Sequence, residues 1–230
     1  METKTVQLSK ITLLGMGFGA ILLLILAVFG PEYFAFRNLS SMAYQIGEFG
    51  FLSMAMALAM LTGGIDLSVV ANMNLAGILA AFVLTNEALI AAIGTGNVVA
   101  LAVVVALAAG LAGGLFNGLV ISKVGVHSVL TTIGTMMLFG GIGMVLSEGQ
   151  GIVGFPREFS FIGNGDVLGL PMPLILMLIG FAIVGYLVNR SRWGRELYLF
   201  GANPVASLFS GIKNDRTIIR TFAIGGLLTG

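Results

Sequence analysis

Between Ile11 and Gly30 the chain runs for 20 residues without one charged side chain, and comparable runs recur along most of its length. A helix crossing a hydrocarbon core of about 30 Å needs roughly 20 mostly apolar residues. In lipid each backbone N–H and C=O must find its partner within the protein, which restricts spans of this length to α-helices. Further spans are expected at about 41–61, 67–84, 98–120, 128–146 and 173–188, and a seventh begins near Ile218. The expected fold class is all-α: a polytopic transmembrane helical bundle over residues 1–230, with about six complete spans and a truncated seventh. A signal peptide would have an apolar region of only about 7–15 residues. The first run therefore reads as an uncleaved anchor, broken by Pro31 and the Glu32–Asn38 stretch.

Composition supports this and removes other classes. Charged residues make up 9% of the chain, against roughly 25% in soluble domains. There are 34 glycines and only 5 prolines, which suits close approach of helices in lipid. The absence of cysteine excludes a disulfide scaffold and a thiol nucleophile, and one histidine excludes a multi-histidine metal site. A net charge of +1 gives no reason to expect a nucleic-acid partner.

Basic residues near span ends set orientation. With the N-terminus in the cytoplasm, Lys4, Lys10, Lys123, Arg190, Arg192, Arg195, Lys213, Arg216 and Arg220 lie inside and only Arg37 and Arg157 outside. The segment of about Ser147 to Met172 is then a large external loop, expected to be irregular or partly re-entrant. The stretch 189–217 is the large cytoplasmic one, where Trp193 beside Arg192 fits an interfacial anchor.

Polar chemistry concentrates at few places. In Gly63-Gly64-Ile65-Asp66-Leu67-Ser68 the glycines suit a tight turn, and Asp66 is placed to cap the next helix through the N–H groups at Leu67 to Val69. Irregular backbone at membrane depth also tends to line a cavity, so a role in a solute path stays open. Ser68 and Asn72 are four apart and share a face, with Asn74 pointing elsewhere. Intramembrane asparagine serves as interhelical glue or as a ligand for solute. Ser128, Thr132 and Thr135 form a stripe that either lines a path or bonds back to its own helix. Gly110, Gly113, Gly114 and Gly118 make a packing face at GxxxG spacing. His127 reads as a cap or interface residue. In the cytoplasmic stretch, Asn203-Pro204 signals a helix start and Gly211 a stop. A short helix over about Pro204–Ser210 is predicted, with Val205, Leu208 and Phe209 on one side. It would lie on anionic lipid or dock in a groove of a cytoplasmic partner.

Three blocks of this sequence resemble the permease subunits of bacterial ABC importers for ribose, xylose, galactose and similar sugars, a family that also includes autoinducer-2 importers. They are Gly64-Ile65-Asp66-Leu67-Ser68-Val69; Gly114 to Val126 with Asn117, followed by Thr132 to Met136; and Gly194-Arg195 through Tyr198, Gly201, Asn203, Pro204 and Ala206 to Ser210-Gly211-Ile212. Departures occur at Val70-Ala71 and at Ser128. The resemblance implies a fold of the type II importer kind and a permease without an ATPase site of its own. ATP would bind on a cytoplasmic ABC ATPase subunit, so no cofactor is expected in this chain. A periplasmic or extracellular sugar-binding protein would deliver solute, and a second permease copy or paralogue would complete the path in the bacterial inner membrane. Asp66, Ser68, Asn72, Asn117, Ser128, Thr132 and Thr135 are then candidates for the solute path. Gly194, Arg195, Gly201, Asn203, Pro204, Ala206, Phe209, Ser210 and Gly211 are candidates for coupling to the ATPase.

The residues on their own support the same class. No Gly-x-x-x-x-Gly-Lys-Ser/Thr loop is present to hold phosphates. A secondary transporter would want intramembrane carboxylates as proton or ion relays. Asp66 has no evident buried partner, and Glu87, Glu148 and Glu158 are expected in loops. An uncoupled channel or a non-transporting scaffold is the competing class. The family's members are longer, and a last span starting near Ile218 would have only about 13 residues, roughly 20 Å of helix. The expectation is that this stretch alone does not transport.

Overall fold

The computed structural model describes residues 2–30 and 35–230, and the break expected at Pro31 lies outside them. The chain divides into two units, Met1–Ala43 and Tyr44–Gly230. The first contains α1 (Glu2–Phe29), apolar from Thr12 to Val28. α2 (Phe36–Leu61) begins there and continues into the second unit.

The second unit continues with α3 (Val69–Leu84), α4 (Glu87–Ile93), α5 (Thr95–Leu119) extended by a π-type turn over Val120–Val124, and α6 (Ser128–Leu146). After α7 (Arg157–Asn164) and a hairpin of β1 (Asp166–Val167) and β2 (Leu170–Pro171) come α8 (Met172–Arg190), α9 (Arg192–Ala202), α10 (Pro204–Phe209) and α11 (Asn214–Thr229). Among the described residues, α2, α5 with its π-type turn, α6 and α8 are each long and apolar enough to span a membrane. α3 and α4, bent by 63° at their junction, pass that test together. The protein is a multi-pass helical membrane bundle.

Glycine decides how the bundle closes. α5 packs on both α3 and α11, and α6 packs on α3. A Cβ at Gly110 or Gly114 would collide with the α11 backbone at Gly226 and Phe222, and one at Gly118 would lie 2.8 Å from Ile219 Cα. The packing face expected on the fourth span thus meets the helix expected as the seventh. Gly113 serves α3 instead, because a Cβ there would strike Asn72 Oδ1. Gly125, at φ +79°, supplies the left-handed residue that ends the π-type turn before α6.

Two regions differ from expectation. The segment 147–171, expected as an irregular or partly re-entrant loop, is a short helix and a hairpin, with Phe159 of α7 packed against the cluster of Ala80, Leu84 and Ala102. The sharp bend lies at α3–α4, where Asn86 Oδ1 accepts from Leu89 N and starts a helix that includes Glu87. Glu158 likewise lies in the first turn of α7. The stretch 189–217 holds a second helix, α9, whose inner face buries Trp193, Gly194, Leu197 and Phe200. Trp193 packs with Leu58, Val188 and Leu197, and its Nε1 donates to Thr221 Oγ1 at 3.3 Å. It is a core residue rather than the interfacial anchor the sequence suggested.

Candidate functional site

The link 62–68 between α2 and α3 gathers most of the candidate polar residues. Gly63, at φ +75°, turns the chain out of α2. Asp66, 6% exposed, accepts from Ser68 N at 2.9 Å and from Ser68 Oγ at 2.6 Å, both on Oδ1. Of the N–H groups expected to be capped, Ser68 is the one bound, and Ser68 itself stands at the N-cap of α3. Ser68 Oγ in turn accepts from Asn117 Nδ2 of α5 at 2.8 Å. Asn117, Ser68 and Asp66 therefore form one buried chain of hydrogen bonds ending on a carboxylate, the arrangement that stabilises a buried charge. Asn117 Oδ1 is buried with no hydrogen-bond partner among the described residues.

The same link is held from the other side by α6. Ser128 Oγ accepts from Ile65 N at 3.3 Å, and Thr132 Oγ1 donates to Ile65 O at 3.1 Å. Gly64 is small because a Cβ would sit 2.7 Å from Ser128 Oγ. Thr135 bonds only within its own helix, to Thr131 O and Thr132 O. Asn72 lies one turn beyond Ser68, where its Nδ2 donates to Gly110 O at 3.0 Å and to Thr229 Oγ1 at 2.8 Å. It joins α3, α5 and α11, which is the glue role, while Asn74 faces outward. His127 stands at the N-cap of α6 without a side-chain cap bond. Within this chain Asp66, Ser68, Asn117, Ser128 and Thr132 act as a latch that fixes the start of α3 against α5 and α6.

The stretch 189–217 reaches the end of α2 just before that latch. Asn203 Oδ1 accepts from Val205 N and Ala206 N, each at 3.0 Å, and starts α10 with Pro204 at its first turn. Ser210 follows the last turn, its Oγ donating to Ala206 O, and Gly211 at φ +78° ends it. Val205, Leu208 and Phe209 are exposed, Phe209 by 88%. Ser207, buried beneath them, donates to Pro204 O and bonds Asn214 Oδ1 at 2.8 Å, tying α10 to the start of α11. Arg195 is exposed on α9. Gly194 and Gly201 serve packing: a Cβ at Gly194 would strike Val188 O, and one at Gly201 would strike Leu61 O. Gly201 thus seats α9 on the last residue of α2, just before the link. A cleft of about 190 Å³ beside it is lined by Thr62, Gly64, His127, Ser128, Phe200 and Ile218.

One residue escaped the count of intramembrane carboxylates. Glu48 lies within the second expected span and stands near the midpoint of α2. It is exposed and makes no hydrogen bond or ion pair with the described residues. Its signal was its own position in the sequence. Among the described residues there is no group of three side chains able to hold a metal ion.

Comparison with known proteins places this geometry. Residues 38–230 match the family described as branched-chain amino acid transport system / permease component. The ribose import permease protein RbsC of Bacillus subtilis is 34% identical over 211 residues, covering 91% of this chain and 63% of that protein. The D-allose transport system permease protein AlsC of Escherichia coli is 32% identical over 216 residues, covering 91% and 63%. The L-arabinose transport system permease protein AraH of Escherichia coli is 30% identical over 211 residues, covering 91% and 61%. The chain thus spans under two thirds of the length of these relatives. No solved structure matches it.

Proposed function

The chain belongs to the branched-chain amino acid transport system / permease component family, and on that premise we propose that it is the membrane-spanning permease subunit of an ATP-binding-cassette importer. Its solute is a monosaccharide or a related small polar molecule, the class named for the ribose, allose and arabinose relatives. It works in the bacterial inner membrane with its N-terminus in the cytoplasm, an orientation that the distribution of basic residues supports. A cytoplasmic ATPase subunit binds the ATP, a sugar-binding protein delivers the solute, and a second permease copy or paralogue completes the path.

The observation that carries this reading is α10. A two-turn helix presents Val205, Leu208 and Phe209 to solvent while Asn203, Ser207 and Asn214 fix its frame. A short amphipathic helix with its apolar side free and its base bonded is suited to a groove in a partner. A push on α10 passes through the Asn203 corner into α9, whose Gly201 rests on Leu61 O. From there it reaches the link held by Asp66, Ser128 and Thr132. Coupling of this kind requires one element that both sites bias, and the link is that element.

The test is co-purification of the ATPase with the full-length permease, compared with Phe209→Ala. Truncating a central aromatic anchor commonly costs about 2 kcal/mol or more, so association should weaken by roughly thirtyfold while the permease stays folded. Unchanged binding would place α10 on the lipid surface instead.

A further inference from the structure

Glu48 stands at the middle of an apolar span, where a carboxylate facing lipid is disfavoured and one facing a bundle interior or hydrated cavity is the rule. Helical spacing puts it on one stripe with Leu52, Ala55 and Ala59, at i+4, i+7 and i+11. That stripe faces the bundle: Leu52 and Ala55 pack with Val69 and Met73 of α3 and Leu228 of α11. The neighbouring Gly47 is pinned by α8, since a Cβ there would lie 2.5 Å from Pro173 Cβ. The rotation of α2 is therefore fixed, with Glu48 turned away from α8. Among the described residues no cation pairs with it. Arg37, the basic residue on the same helix, is eleven positions away, roughly 16 Å along the axis. Gln45, one turn before it, is also exposed and adds an amide to the same side.

We propose that Glu48 lines the solute path and receives hydrogen bonds from the hydroxyl groups of a neutral polyol, with Gln45 beside it. This rests on the permease reading and narrows its solute class. A carboxylate with free lone pairs favours hydroxyl donors over anions, so sugars are selected over sugar phosphates.

The experiment uses the full-length permease on a cysteine-free background in membrane vesicles. Glu48→Cys and Ile46→Cys are treated with a charged, water-soluble methanethiosulfonate. Ile46 is exposed but turned about 160° away at about 100° per residue, so it reports the opposite face of α2. Position 48 should react roughly tenfold faster or more, and millimolar ribose, allose or arabinose should slow it. In the assembled importer, Glu48→Gln should lower uptake of the transported sugar by roughly tenfold or more, the loss expected for hydrogen bonds to a charged group, while Glu48→Asp keeps part of it. Equal reactivity at positions 46 and 48, no slowing by any of the three sugars, or uptake by Glu48→Gln within twofold of the unmodified protein would overturn the proposal. Failure of the permease reading shows separately, as absence of ATPase association by the unmodified chain, and the labelling needs no ATPase.

Discussion

Asp66 is a buried carboxylate stabilised by one residue, Ser68, which supplies both an N–H and an O–H. Removing it takes two hydrogen bonds from Ser68, and bonds to a charged acceptor are worth about 1.5–3 kcal/mol each. Asp66→Ala should therefore lower the thermal midpoint of the detergent-solubilised protein and reduce uptake at equal expression. Thr135→Val should do neither, because Thr135 bonds only its own helix. Unchanged uptake by Asp66→Ala would reduce the latch to a local cap. The bond from Asp66 to Ser68 was legible in the sequence, since the two residues lie two positions apart. The bond from Asn117 to Ser68 was not, because it crosses 49 positions and depends on where α5 lies. Glu48 was missed, although a charge inside an expected span is a signal the sequence carries.

At the scale of elements, glycine spacing and caps were the readable signals. The pair Asn203-Pro204 and the stop at Gly211 gave α10 to within a residue, since capping is a local matter of side chain and φ. The glycines of α5 announced a packing face, and the partner, α11, emerged only in three dimensions. α9 was missed because its buried face, Trp193, Leu197 and Phe200, is interleaved with Arg192, Arg195 and Glu196, which read as a loop. The α5–α11 seam gives a sharp expectation. Gly114→Val should destabilise the protein by about 1–3 kcal/mol through overpacking, because its Cβ meets the Phe222 carbonyl and Gly226 Cα. Gly134→Ala, with nothing within 4 Å of the added Cβ, should be tolerated. Size-exclusion profiles and thermal midpoints of the two variants check this, and equal behaviour would contradict the close approach.

For the whole molecule, span positions were readable because lipid forces long apolar runs to be helices. What the runs could not give was the order of neighbours, which depends on contacts such as Asn72 with Thr229 and Lys123 with Asp215. The orientation carries its own test. Leu168, at the hairpin tip, is fully exposed, and Ser210 follows α10. Leu168→Cys should react with an impermeant maleimide in intact cells, and Ser210→Cys only after permeabilisation; the reverse pattern would invert the topology. On the proposed permease function, this bundle moves solute only when a partner subunit uses ATP. The most direct measurement of this is uptake of labelled ribose, allose and arabinose into vesicles holding the full-length permease, its ATPase and its sugar-binding protein. One of these sugars should accumulate, and its accumulation should require both hydrolysable ATP and the binding protein. Equal flux of that sugar without ATP would contradict it and identify an uncoupled channel.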